Sequence, residues 1–593
     1  MKNSRYTVAV LFVVLFKAML FHESANAQTR PNIVLILADD QGWGDLSING
    51  NTNVRTPHID KIGKEGARFD RFYVSPLCAP TRAGLLTGRY HYRAGVWGVS
   101  NSREFMNLNE ATLADLLKKA GYATGCFGKW HNGSQYPYHP NGRGFDEFYG
   151  MLSGHYANYF NTTVDYNGEP VKSKGYITDD LTDKAIDFIE KSRKANKPFL
   201  CYLPYNTPHS PFQVPDENYN RVKARGIRQL SHNKGEEDEE TTISALAMSE
   251  NIDDNVGRVL KKLDELQLTS NTIVIYLSDN GPNSWRWNGD MKGRKGVNGE
   301  GGVRVPFLIR WPGMIPAGKL VKGNAAYIDL LPTLTELAGV STPKGGKPLD
   351  GISLKPALLG ATSEVPERLL FLSINKNNSV RKGHFLYQNN ALYDLAADST
   401  QQTNIASKHP AVTDSLRTAF DKWYAEVYKN IDSARSIPVG YRQFPKTVLP
   451  SQDAILHPSS NGTLSYSASA PNSSWIANWA DTVSYASWHV DVHTPGKYQV
   501  NVRYTSPESG DTFIITLGKS HISGTISEAF DPPLIPSPDR VKRTAESYEK
   551  EFRTMKVGEL QLSKGKGELK LIARKLMADK FADIGAVELV LLK

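Results

Sequence analysis

The sequence is short of cysteine, of long apolar runs and of clustered basic charge, and each shortage removes a class of protein. Three cysteines, Cys78, Cys126 and Cys201, in 593 residues do not make a disulfide framework. No apolar stretch is long enough to span a bilayer, so no membrane-spanning helix is expected. The formal net charge is +9, yet no lysine- or arginine-rich run and no recognition-helix motif accompanies it. Nucleic acid is therefore not the expected partner.

What is present indicates an exported, multidomain protein. A chain of this length exceeds one ordinary core, and 40% hydrophobic with 22% charged residues fits a soluble globular protein. Lys2 and Arg5 precede an apolar run from Val8 to Phe16, and Ala25-Asn26-Ala27 offers a small-residue cleavage site. Residues 1–27 thus read as a secretory signal peptide, which implies a periplasmic or secreted protein. The mature chain is expected to start near Gln28, with no cysteine there for a lipid anchor. Its loss removes Lys2, Arg5 and Lys17 against Glu23, leaving a net charge of +7, compatible with a polyanionic partner.

Four apolar runs end in polar clusters. Pro31 to Ala38 ends in Asp39-Asp40, Tyr122 to Gly128 in Lys129 and His131, Pro198 to Leu203 leads to His209, and Thr272 to Leu277 leads to Asp279-Asn280. Helices are expected over Leu113–Ala120, Asp179–Lys194 with Thr178 as N-cap, Ile243–Leu266 and Tyr327–Ala338. The acidic run Glu236–Glu240 reads as a solvated loop or helix start. Strands alternating with helices predict an α/β fold with a mainly parallel, helix-flanked sheet, whose strand ends share one edge. Asp39-Asp40 alone is equally a solvated turn or a cation site. Together with Asp279 and Asn280 it makes an all-oxygen set that favours calcium, with magnesium second, over zinc.

The stretch Ser75 to Arg89 delivers Cys78 onto a helix start, with Pro80 in the first turn and Arg82 one turn on. CxPxR followed by TGR resembles the signature of type I sulfatases, in the alkaline phosphatase superfamily. Gly128-Lys129-Trp130-His131, Pro208-His209 and the glycine-rich Lys295 to Gly302 loop match further positions, over about residues 31–410. Thr81 and Asn132 depart from the usual residues. The resemblance implies an alkaline-phosphatase-like fold and a cysteine oxidised to formylglycine (3-oxoalanine) by a maturating enzyme, formylglycine-generating or radical-type. Its hydrated geminal diol would be the nucleophile. One calcium ion would be held by Asp39, Asp40, Asp279, Asn280 and the modified Cys78. Lys129 and Lys295 would neutralise sulfate, Asp279 would take a diol proton, His209 would protonate the leaving alcohol, His131 would assist elimination, and Arg82 would hold the formylglycine. Degradation of a sulfated polysaccharide is the implied role, as an arylsulfatase-like hydrolase.

The expected divisions are a catalytic α/β domain over 28–345, a small C-terminal sheet subdomain over 346–430, a proline-marked linker over 431–454 and an all-β sandwich over 455–593. Trp475, Trp479 and Trp488 are open to two readings, core or a sugar-stacking, carbohydrate-binding face. His91, Tyr92, Arg93, Trp97, His155 and Tyr156 are open between site border and core. Competing functions are a phosphonate or phosphate ester hydrolase of the same superfamily and a non-catalytic glycan-binding protein.

Overall fold

The computed structural model describes residues 30–231, 237–341, 345–360, 362–375, 377–429, 431, 435–470 and 473–592. The expected signal peptide lies outside them. Among the described residues, no helix is long and apolar enough to cross a membrane.

The principal sheet is built from β1 (Asn32–Ala38), β2 (Ala67–Tyr73), β3 (Ala123–Lys129), β4 (Glu147–Met151), β5 (Thr163–Tyr166), β6 (Glu169–Lys172), β7 (Phe199–Pro204), β8 (Thr272–Ser278), β9 (Phe307–Arg310) and β10 (Lys319–Ala326). Their order is β10-β2-β9-β8-β1-β7-β3-β4-β5-β6. β1 lies in the middle, parallel to both β7 and β8. Its run is apolar throughout because its alternate residues feed two cores. Ile33, Leu35 and Leu37 join the core containing helix α1 (Cys78–Thr87). Val34, Ile36 and Ala38 join the core containing α2 (Ile177–Lys194) and α3 (Glu239–Glu265). β9 runs antiparallel to both β2 and β8, as do β5 to β4 and β6 to β5, so the sheet is mixed although mainly parallel.

One helix start differs from expectation, and another falls where the acidic run allowed a helix to begin. Thr178 lies inside α2, whose N-cap is Tyr176; its hydroxyl is engaged by that of Thr207 at 3.1 Å. α3 begins within the acidic run, where the Asp238 carboxylate accepts from Thr241 N at 2.7 Å, a normal N-cap bond.

An antiparallel four-stranded sheet follows, from Leu370–Ile374 to Ala391–Asp394. Beyond it two six-stranded sheets enclose a third core, which holds Val500, Val502, Phe513, Ile515, Leu560, Leu569 and Leu571. The stretch expected as a linker belongs to these sheets. Ile437–Val439 pairs with Tyr485–Val492, and Lys446–Pro450 with Asp583–Leu591. Its prolines signalled a linker, but Pro438 and Pro450 are tolerated because both strands are edge strands. Trp479 and Trp488 are fully buried, which removes them from any sugar-stacking face. Trp475 is half-buried and donates Nε1–H to Asp583 at 3.1 Å.

Candidate active site

β2, β8, β1, β7 and β3 run in one direction, β2 through its antiparallel neighbour β9, so their carboxyl ends share one edge of the sheet. The expected site residues lie at or after those ends, with Lys295 on the connection from β8 to β9. Backbone bonds stitch the ends together, Asp39 N to Thr207 O at 3.0 Å and Asp279 N to Ala38 O at 3.1 Å. Asp40 and His131 both have left-handed backbones, with φ of +62°; such conformations in non-glycine residues concentrate at functional sites.

Three carboxylates and three cations form a buried lattice. Lys129 Nζ donates to Asp39 Oδ2 at 2.5 Å and Lys295 Nζ to Asp40 Oδ2 at 2.9 Å. Arg82, fully buried, donates Nε and Nη2 to Asp279 Oδ2 at 3.0 and 2.7 Å, and Nη1 to Lys129 O at 2.6 Å. Arg82, expected to hold the formylglycine, is bonded here to Asp279. Asp39 Oδ1 is a further 3.8 Å from its Nη2. Burial pushes Asp39 and Asp40 up, but Lys129 beside Asp39, His209 and Lys295 beside Asp40 outweigh it and hold both below the ordinary carboxylate range. Burial and the neighbouring Asp39 carboxylate instead push Asp279 well up, against Arg82.

Cys78 opens α1 and is 3% exposed. Its sulfur and carboxylate oxygens of Asp39 and Asp279 lie within 4.8 Å of one another. Cys126 and Cys201 are core thiols, pushed up by burial.

The two histidines are set differently. His209 Nδ1 donates to Ser210 O at 2.6 Å, which leaves Nε2 facing Asp40 Oδ2 at 3.5 Å. His131 Nε2 donates to Val99 O at 2.8 Å, so its Nδ1 carries a lone pair, and no hydrogen bond reaches that atom. Burial and Lys129 push His131 well down, keeping it neutral. Glycines permit this packing. A Cβ at Gly154 would stand 2.1 Å from the His131 ring, and one at Gly128, where φ is +143°, would stand 1.9 Å from Pro204 O.

The donor set fits a hard divalent cation. Asp39 Oδ1 and Asn280 Oδ1 are buried oxygens with no hydrogen-bond partner, while Asn280 Nδ2 donates to Asp40 Oδ1 at 2.7 Å and so turns Asn280 Oδ1 away from that contact. Carboxylate and amide oxygens suit calcium or magnesium.

Several supporting residues carried no local signal. Arg286 donates to Asp45 at 2.7 Å and to Asp40 O at 2.9 Å, bracing the turn after β1. Arg381 donates to Glu300 and to Asn298 O, each at 3.0 Å, tying the four-stranded sheet to the Lys295 loop. Of the residues left open, His91 and Tyr92 are core, and Arg93 pairs with Asp350 and Glu426. Trp97 lies under Arg103, Tyr156 takes Leu152 N on its hydroxyl, and His155 faces His209 with ring centres 5.7 Å apart.

A family model described as Sulfatase matches residues 31–340. N-acetylgalactosamine-6-sulfatase of Canis lupus familiaris is 33% identical over 384 residues, covering 59% of this chain and 69% of its own length. Arylsulfatase G of Rattus norvegicus is 32% identical over 400 residues, covering 58% and 71%. The solved structure of Ps i-CgsB in complex with k-i-k-neocarrahexaose has a TM-score of 0.61 at 31% identity, covering 67% of this chain and 93% of that one. The chain belongs to the sulfatase family and is a sulfuric ester hydrolase.

Proposed function

We propose that the protein hydrolyses a sulfate ester on a sulfated saccharide, with Cys78 converted to formylglycine by a maturating enzyme and one calcium ion held by Asp39, Asp40, Asp279, Asn280 and the group at position 78. The observation that carries this reading is the meeting of Cys78 with Asp39 and Asp279 within 4.8 Å, beside the ammonium groups of Lys129 and Lys295. The saccharide rests on the relatives, one an N-acetylgalactosamine-6-sulfatase and one solved with k-i-k-neocarrahexaose. Residues 1–27 support export to the periplasm or beyond.

Calcium bound there would offset the negative charge of the sulfate oxygens. Lys129, which is buried, and Lys295, which is partly exposed, add fixed positive charge beside the sulfate. Asp279, held by Arg82, takes a proton from one hydroxyl of the hydrated aldehyde, whose oxygen bonds to sulfur as the ester S–O bond breaks. His209 Nε2 gives its proton to the departing sugar alcohol. His131 Nδ1 then removes the proton of the second hydroxyl, the C–O bond at position 78 breaks, sulfate leaves and the aldehyde returns.

The test is sulfate release from sulfated monosaccharides, glycosaminoglycan fragments and galactan fragments, by the aldehyde-bearing enzyme and by Cys78→Ala. Release from one sulfation position, absent in Cys78→Ala, is expected. Faster turnover of phosphonate diesters than of any sulfate ester would replace this reading with the phosphonate hydrolase one.

A further inference from the structure

We propose that the 526–552 connection of the C-terminal sheets forms one wall of the substrate site, and that Glu546 on it is a specificity-determining residue for a saccharide at least two sugars long. This deepens the reading above and rests on its sulfated saccharide.

The connection joins strands Ser520–Thr525 and Arg553–Leu562 and is fastened to the loop that carries His209. Arg540 N donates to Phe212 O at 2.8 Å, and the Arg540 guanidinium donates to Val214 O at 2.9 Å, pairs with Asp216 and covers Tyr219. Gln213 Nε2 donates to Ser537 Oγ at 2.8 Å and to Asp539 Oδ1 at 2.7 Å. Half-buried Arg543 pairs with Asp539 at 2.8 Å and also donates to Ala157 O. These bonds fix the wall before any ligand arrives, which lowers the ordering cost of binding.

Glu546 is the group this wall presents. Its Oε1 accepts from Ser210 Oγ at 2.9 Å, the residue next to His209, and stands 3.3 Å from His155 Nδ1. His155 is 2% exposed, and neither of its ring nitrogens is satisfied by a hydrogen bond. A buried imidazole left unsatisfied is costly unless a ligand engages it. His209 is the group assigned to the departing alcohol, so what lies beside it meets the sugar and not the sulfate. The Glu546 carboxylate, which lines the cleft, is suited to accept from a pair of neighbouring sugar hydroxyls.

From Glu546 a cleft of about 460 Å³ runs outward past Ser210, Phe212 and Arg543 to Trp285 and Arg294, within the ~300–1,000 Å³ typical of small-ligand sites. Trp285 is 39% exposed, and the Arg294 guanidinium lies 5.3 Å from its ring centre. An exposed indole suits the apolar face of a second sugar ring. Arg294, next to Lys295, supplies a cation for an acidic substituent on that ring.

The test compares Glu546→Gln and Trp285→Ala with the unsubstituted enzyme on a sulfated galactan tetrasaccharide, its sulfated monosaccharide and methylumbelliferyl sulfate. In both variants kcat/KM on the tetrasaccharide should fall about tenfold more than on the aryl sulfate, mainly through KM, with the melting temperature held. Equal falls on all three, or an unchanged tetrasaccharide preference, overturns the wall. An unsubstituted enzyme that cleaves the aryl sulfate but no saccharide of any length overturns the saccharide reading itself.

Discussion

Removing Arg82 tests whether the buried lattice is held as its contacts imply. Its three nitrogens serve Asp279 and the Lys129 carbonyl, with no solvent exposure. Arg82→Met keeps much of the volume but leaves the Asp279 charge and that carbonyl without their partner. Breaking a buried ion pair from one side costs ~3–5 kcal/mol, and the orphaned carbonyl adds ~1–3 kcal/mol. The expected total, ~4–8 kcal/mol, is comparable to the whole stability of a typical domain, ~5–15 kcal/mol. Arg82→Lys restores the charge but cannot reach both acceptors with a fork, so a smaller loss of ~1.5–3 kcal/mol is expected. The assay is urea unfolding followed by tryptophan fluorescence, with chelator and with excess calcium. A ligand at a hundred times its Kd adds ~2.7 kcal/mol to any native state that binds it. At one fixed calcium concentration the increment should be larger in Arg82→Met, where Asp279 has lost its cation and calcium binds more tightly. An Arg82→Met variant within ~0.5 kcal/mol of the unsubstituted protein, the range of ordinary surface changes, would mean that Arg82 does not hold the lattice together.

Gly154→Ala places a Cβ 2.1 Å from the His131 ring; a displacement near ~1 Å can cost ~10²-fold in rate, and steady-state kinetics on the identified substrate would show it. Trp488 is fully buried and donates Nε1–H to Pro450 O at 2.9 Å, so Trp488→Ala should cost ~3–5 kcal/mol in denaturant unfolding. An unchanged midpoint would contradict its core placement. Glu104 has a buried, unpartnered Oε2, and burial with the Asp453 carboxylate pushes it up to about 8. The native state thus holds a proton that the unfolded chain releases near pH ~4.3. Its contribution is fully present below that value and is lost as pH rises through 8. Glu104→Gln should flatten this slope, giving a higher melting temperature than the unsubstituted protein at alkaline pH; parallel curves from acid to alkali would contradict it.

The catalytic half was legible because its signals are local. β1, β7 and β8 read as short runs apolar on both faces, and a chain that must cover both faces of such strands is parallel, which sends Asp39, Asp279 and His209 to one edge. Cys78 announced itself through Pro80 and a helix start that the structure has. The mixed character of the sheet was not legible, since β9 differs from its neighbours in direction and not in composition. The prolines at 438, 445 and 450 suggested a linker because edge pairing is invisible in a single sequence. The reach of Arg82 to Asp279 depends on which strands adjoin, so that contact carried no local signal. Glu546 had no signal at all, as it lies in an irregular connection far along the chain and meets Ser210 and His155 only through tertiary folding.

The most direct test is the sulfate release rate measured against the fraction of chains carrying an aldehyde at position 78, determined by mass spectrometry of the same calcium-loaded preparations. The rate should be proportional to that fraction, falling to zero for chains with unmodified Cys78. A preparation that releases sulfate at full rate with Cys78 intact would contradict it.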